Sequence, residues 1–148
     1  MSIVVYDRQQ RILAWVGERI DEPNFGLGSH AIGLEQNGEL IAGVVYNMFT
    51  GSSICMHVAA IPGKRWMTRE FLWRAFAYPF IQLGCNRVTG LVRVDNFAAQ
   101  RFDEHLGFKR EGLMRRACTD GTDMILYGML REECRWLGVP KHGPLAHD

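Results

Sequence analysis

The sequence predicts a mixed α/β fold, a central and mostly antiparallel sheet of six or seven strands with flanking helices. Three observations carry this. Residues 30–61 form three strand-like runs joined by short turns, the pattern of neighbouring antiparallel strands. Residues 53–106 then read strand, helix, strand, helix, a βαβ unit that adds a parallel pair. Two further runs around Asp120-Gly121 close the chain as a hairpin.

Each element follows from local chemistry. Residues 3–6 are a short strand or the lead into a helix. From Asp7, a possible N-cap, Ile12, Leu13, Trp15, Val16 and Ile20 fall at helical spacing among charged residues. Pro23 and Gly26-Leu-Gly28 end that helix. Residues 30–36 form a strand, Asn37-Gly38 a type I′ turn, and residues 39–49 the partner. Thr50-Gly-Ser-Ser turns the chain into a third strand over residues 53–61, which Pro62-Gly63 stops. A helix over residues 68–82 places Phe71, Leu72, Ala75, Phe76 and Phe80 inward. Pro79 lacks an N–H and clashes with the carbonyl four residues back, so the helix kinks there or ends near Tyr78. Residues 87–92 are a strand. Residues 96–106 are a helix capped by Asn96, with Ala98, Ala99, Phe102 and Leu106 as its apolar stripe and Gly107 at its left-handed end. Residues 109–116 and 123–129 make the final hairpin, and residues 132–136 a last helical turn. One domain over residues 1–137, with a loose Pro- and Gly-containing tail over 138–148, is the expected organisation.

Composition excludes several classes. The 148 residues are 47% hydrophobic and 22% charged, the balance of a globular chain rather than a disordered one. A net charge of +1 gives no global field for nucleic acid or an anionic membrane. No apolar run approaches the ~18 residues of a membrane span, and the first residues lack a signal peptide's basic start. Four scattered cysteines without a C-x-x-C pair carry no metal signature, and reduced thiols in a cytoplasmic compartment are the expectation.

Two segments carry chemistry on their own terms. Pro62-Gly63-Lys64-Arg65-Trp66-Met67-Thr68-Arg69 joins a turn, three cations and a helix start, the arrangement that suits a pyrophosphate. The same features also describe an ordinary basic loop. Asn96-Phe-Ala-Ala-Gln-Arg-Phe-Asp-Glu-His-Leu-Gly-Phe-Lys-Arg-Glu-Gly112 is a capped helix with small residues near its start, open to close approach or to plain packing.

The order Asn-x-x-Ala-x-x-Phe-x-x-x-x-Gly-Phe-x-x-Glu-Gly in that second segment resembles the last conserved segment of the GNAT N-acetyltransferases, above all the branch acting on ribosomal-protein N-termini. Thr68-Arg-Glu-Phe-Leu, Ala75-Phe76 and Leu83-Gly-Cys-Asn-Arg87-Val88 resemble that branch's acetyl-CoA helix and following strand, and Asp123-Met-Ile-Leu-Tyr127-Gly-Met129-Leu-Arg-Glu132 its closing strand. The resemblance covers about residues 30–133. It implies that the fourth and fifth strands splay apart and that acetyl-CoA lies in the opening, with no metal. It implies backbone contacts to pantetheine from Val58, Ala59 and Ala60, and a pyrophosphate on Lys64, Arg65, Trp66, Met67, Thr68 and Arg69. Asn96, with Arg101, is placed near the cofactor. The loop departs from the family's Arg/Gln-x-x-Gly-x-Gly/Ala pattern, since Met67 and Arg69 stand where glycines are usual. Trp66 flanks the adenine or the acceptor on this reading.

Acetyl transfer needs an acceptor amine without its proton and a protonated leaving thiolate. The family's usual tyrosine, seven residues after the asparagine, is here Asp103. With a raised pKa it is a candidate acid; otherwise it orients a base or is a solvated helix residue. His57 is the candidate base. His30 and Glu35 are weaker candidates, and His105 reads as a surface residue. The acceptor is an amine on a protein N-terminus or a small molecule, and a homodimer is compatible. Two alternatives remain: a phage Mom-type enzyme modifying a nucleobase amine, less favoured by the charge, and a catalytically silent CoA-binding or interaction module.

Overall fold

The computed structural model describes residues 1–20 and 25–138. The elements run β1 (Ser2–Val5), α1 (Gln9–Ile20), β2 (His30–Gln36), β3 (Glu39–Asn47), β4 (Ser53–Ala60), α2 (Arg69–Ala77), β5 (Arg87–Arg93), α3 (Phe97–Leu106), β6 (Lys109–Met114) and β7 (Met124–Leu130). They build one seven-stranded sheet in the order β1-β2-β3-β4-β5-β7-β6. Every neighbouring pair is antiparallel except β4 with β5. This is the predicted fold class. No helix among the described residues is long and apolar enough to cross a membrane. The stop at Pro23 and the tail from residue 139 lie outside the described residues.

The helices divide between the two faces. On one face α1 buries Ile12 and Val16 against Ala31, Leu40, Val45 and Ala59. Its approach is close because Gly33 and Gly43 are register partners beneath it. A Cβ on Gly43 would stand 2.7 Å from the Val16 side chain. On the other face Phe71, Leu72, Ala75 and Phe76 of α2 join Ile54, Met56, Val88, Leu106, Ile125, Tyr127 and Met129 in the main core. Burial of the Phe, Leu, Ile, Val and Met side chains among these contributes roughly 1.5–3 kcal/mol each before entropy is counted.

Most boundaries match the sequence to within two residues. The strand β1 begins at Ser2 and stops before Tyr6. α1 begins at Gln9, and the first helical bond, Ile12 N–H to the Arg8 carbonyl at 3.0 Å, makes Arg8 the cap position rather than Asp7. β3 ends at Asn47, where Met48 takes a left-handed φ of 57° and breaks the strand before Phe49. Ala98 is exposed and drops out of the apolar stripe of α3, whose inward side is Ala99, Gln100, Phe102 and Leu106. After β7 the chain makes two short 3₁₀ turns, Arg131–Glu133 and Arg135–Leu137.

Pro79 acts as expected, with a compensation the sequence does not show. α2 ends at Ala77 and widens into a π-helical turn over Tyr78–Gln82, in which the Leu83 N–H reaches the Tyr78 carbonyl at 3.0 Å. Proline has no N–H for the Ala75 carbonyl four residues back. The buried Tyr46 hydroxyl of β3 donates to that carbonyl instead, at 2.5 Å. Removing this donor by Tyr46→Phe should cost about 1–3 kcal/mol in urea unfolding, the penalty for an unsatisfied buried carbonyl. Adding Pro79→Ala restores an N–H and should recover part of that loss; equal losses in single and double variants would show that Tyr46 is not the substitute donor.

Candidate functional site

The site begins where the sheet comes apart. β4 and β5 pair over only three residues, Ser53 with Arg87, Ile54 with Val88 and Cys55 with Thr89. Beyond that point β4 continues on β3, to Ala60 opposite Ala42, while β5 continues on β7, to Arg93 opposite Met124. The facing edges from Met56 and from Gly90 onward are therefore unpaired with each other. This is the predicted splay between the fourth and fifth strands. Along the open part of β4, Val58 and Ala60 side chains pack on the α2 face and Ala59 packs under α1. Their backbone is left at the rim of the opening.

The segment after β4 turns back over that opening. The Lys64 N–H reaches the Ile61 carbonyl at 3.3 Å around Pro62-Gly63. Thr68 caps α2, its hydroxyl accepting from the Phe71 N–H at 3.1 Å. The Thr68 N–H is used by the Trp66 carbonyl at 2.8 Å. Among the described residues, the N–H groups of Arg65, Trp66, Met67, Arg69 and Glu70 have no partner. Lys64, Arg65 and Arg69 are exposed and form no ion pair with the described residues. Free donors, a helix start and three unpaired cations converge, the physical requirement for a polyanion. Trp66 has a structural role as well. Its half-buried ring packs edge-on to Phe71 and 5.0 Å from the Phe102 ring of α3, which anchors the loop to the core. Met67 is exposed.

α3 starts beside the same opening. The Asn96 side-chain oxygen accepts from the Ala99 N–H at 3.1 Å, which leaves its amide NH₂ without a partner among the described residues. Buried Gln100 donates to the Val94 carbonyl at 2.9 Å and fixes the turn from β5. Arg101 is exposed and unpaired among the described residues. Asp103, two turns into the helix, lies over Gly90, the first β5 residue past the last pairing with β4. A Cβ on Gly90 would sit 3.0 Å from an Asp103 carboxylate oxygen, so the missing side chain makes the room. The Asp103 carboxyl has no hydrogen-bond partner among the described residues. Burial, with the neighbouring Glu104 charge adding to it, pushes its pKa up to about 7. Glu104 itself is held outward, accepting from the Tyr127 hydroxyl at 2.8 Å.

His57 lies on the open stretch of β4, on the face opposite Met56 and Val58. Its Nε2 is 2.9 Å from the Asn47 side-chain oxygen, and its ring is tilted against Phe25 at 5.3 Å. Burial lowers its pKa to about 4, so it is neutral throughout the physiological range. The two candidates thus flank the opening from opposite faces of the sheet. The remaining candidates fall away from it. Glu35 is committed to Arg11 and Arg8, His30 stacks on Tyr78 at 4.2 Å, and His105 is exposed. Sequence reasoning missed Asn47 and Gly90. The antiparallel register offered a signal for Asn47: Val45 faces His57, so Asn47, two residues on, shares its face.

No family model and no curated protein matches the chain. Solved structures do. Spermidine N-acetyltransferase SpeG from Vibrio cholerae, in its N152L form, superposes with a TM-score of 0.71 at 16% identity, covering 93% of this chain and 96% of that one. A candidate acetyltransferase from T. thermophilus superposes at 0.62 and 22% identity, covering 73% and 62%. A third, also described only as a candidate acetyltransferase, gives 0.63 at 22%, covering 73% of this chain and 60% of its own length. The chain thus spans about 60% of the length of these last two. At such identities the likeness speaks for architecture: the chain has the fold of the GNAT-type acetyltransferases.

Proposed function

We propose that this chain transfers an acetyl group from acetyl-CoA to an amine, with the co-substrate in the opening between β4 and β5. The observation that carries this reading is Asp103, an unpartnered carboxyl set against β5 where the strands part, its pKa pushed up to about 7 by burial. The fold likeness supports the same reading.

The residues present suit the ligand. The free N–H groups of Arg65, Trp66, Met67, Arg69 and Glu70, with the Lys64, Arg65 and Arg69 side chains, would take the pyrophosphate. The open edge of Val58, Ala59 and Ala60 would pair with the amides of the pantetheine arm as an added strand does. Asn96 and Arg101 flank it from α3. The thioester supplies an activated acyl group. The amine nitrogen bonds to its carbonyl carbon and the C–S bond breaks. One proton leaves the amine and another reaches sulfur. Asp103 in its acid form gives the second. Neutral His57, on the other face, offers a lone pair toward the amine.

The acceptor we infer is a primary amine in uncharged surroundings, such as a peptide N-terminus, rather than a polycation. Carboxylates on the β5–β7 side are already used: Glu111 by Arg87, and Asp95 and Asp120 by Arg93. Incubation with labelled acetyl-CoA and a panel of peptides, spermidine and DNA tests this; label in peptides is expected, and label in spermidine or DNA alone would overturn the acceptor class.

Replacing Lys64, Arg65 and Arg69 together by Ala should weaken CoA binding about 5- to 150-fold by calorimetry, roughly 1–3 kcal/mol. Unchanged affinity would move the pyrophosphate elsewhere.

Asp103→Asn should lower kcat about 100-fold or more, since an amide has no proton to give. In the unmodified enzyme kcat should fall as pH rises through about 7, where the acid form is lost. The same substitution should stabilise the fold. The folded carboxyl keeps its proton to about pH 7 while the unfolded one ionises near 3.9. Its stabilising contribution is complete below pH 4 and is lost as pH rises through 7. Asp103→Asn should therefore gain about 1–2 kcal/mol over the parent at pH 8, less than the whole shift implies because the group is only half-buried. Thermal unfolding at pH 4 and pH 8 measures the gap, and equal gaps would remove Asp103 from the acid role.

A further inference from the structure

We propose that Asn47 is a positioning residue that locks His57 in its Nε2–H tautomer and so presents the Nδ1 lone pair to the acceptor amine. This rests on the acetyl-transfer reading above for the role of the amine, but not for the tautomer.

The argument is one of donors and acceptors. The Asn47 amide NH₂ donates to the Phe25 carbonyl at 3.1 Å, and its oxygen faces His57 Nε2 at 2.9 Å. Turning the amide over would set its oxygen against the Phe25 carbonyl, two acceptors with no proton between them. The Phe25 carbonyl therefore fixes the Asn47 orientation. The Asn47 oxygen can only accept, so His57 Nε2 must carry the proton. In a neutral imidazole the other nitrogen then holds the lone pair. Nδ1 has no partner among the described residues. It is not sealed from solvent either, because no described buried side-chain nitrogen or oxygen is left without a partner. An unpaired acceptor that is not fully buried is thus held on the open stretch of β4, and its state is set from β3.

The chain of contacts has a second consequence. Phe25 supplies both the carbonyl that orients Asn47 and a ring tilted on the His57 imidazole. The Ser29 hydroxyl donates to the same Phe25 carbonyl at 3.0 Å. The segment before β2 is therefore coupled to the imidazole through one amide side chain.

Long-range ¹H–¹⁵N correlation spectra of the full chain read the tautomer directly. The unmodified protein should show His57 protonated at Nε2 only; protonation at Nδ1 would overturn the proposal. Asn47→Leu should give a mixture or the opposite tautomer, with kcat for acetyl transfer lowered about 10-fold and KM for acetyl-CoA within about 2-fold. An unchanged spectrum would overturn it. If the unmodified protein transfers no acetyl group, the acetyl-transfer reading fails, while the spectra still decide the Asn47–His57 relation.

Discussion

The three-residue parallel contact between β4 and β5 is the constraint on which the rest of the structure depends. It is the junction between two antiparallel blocks, β1 to β4 and β5 to β7 with β6, each held by longer ladders. Strands twist, and the two blocks are joined in sequence by the crossover through α2. They keep register at Ser53–Cys55 and lose it toward Ala60 and Arg93. Unpaired backbone edges inside a folded chain invite either solvent or a ligand that pairs like a strand. The helices α2 and α3, which follow the two parted strands, bring their starts to the mouth of this opening.

What the site does electrostatically follows from where its two titratable groups sit. Burial works on both and in opposite directions of pKa, because each is more stable uncharged away from water. Asp103 is held as an acid and His57 as a neutral base. Neither has an opposing charge to compensate it, unlike Glu35, Glu111 or Asp120, each of which has its own arginine. A site with a neutral donor on one face and a neutral acceptor on the other is suited to moving protons without building up charge before the reaction begins.

Much of this was legible in the sequence, for physical reasons that differ by element. Asn37-Gly38 marked its hairpin because both residues adopt positive φ, 54° and 82°, as a type I′ turn demands. Asn96 and Gly107 marked α3 because capping needs those residue types at those ends. Pro79 signalled trouble in α2, but not the repair, since the Tyr46 donor comes from 29 residues away in sequence. The site was legible as segments and not as roles. Nothing local distinguishes Trp66 as a core anchor from Trp66 as a ligand contact, because that depends on where Phe102 of α3 ends up. Nor can composition show that Asp103 is raised in pKa, as the cause is its burial over the empty Cβ position at Gly90 on another element.

The loop before α2 shows why a motif can be lost while its chemistry persists. Glycines in such a loop allow backbone to approach a phosphate closely. Here Met67 and Arg69 stand in those places, and the loop instead has a ring, Trp66, sunk between Phe71 and Phe102. Anchoring from beneath fixes the backbone with positive φ only at Gly63, 82°, before the anchor, and it leaves the N–H groups on either side of the anchor unsatisfied. Those groups lose little while solvated and gain from a polyanion, the more so with Lys64, Arg65 and Arg69 uncommitted to any described carboxylate. A flexible glycine cradle pays an ordering cost when it closes on its ligand, whereas a tethered one has already met that cost in folding. Substituting Trp66 would then loosen the cradle from below, at a point where no phosphate need touch the side chain.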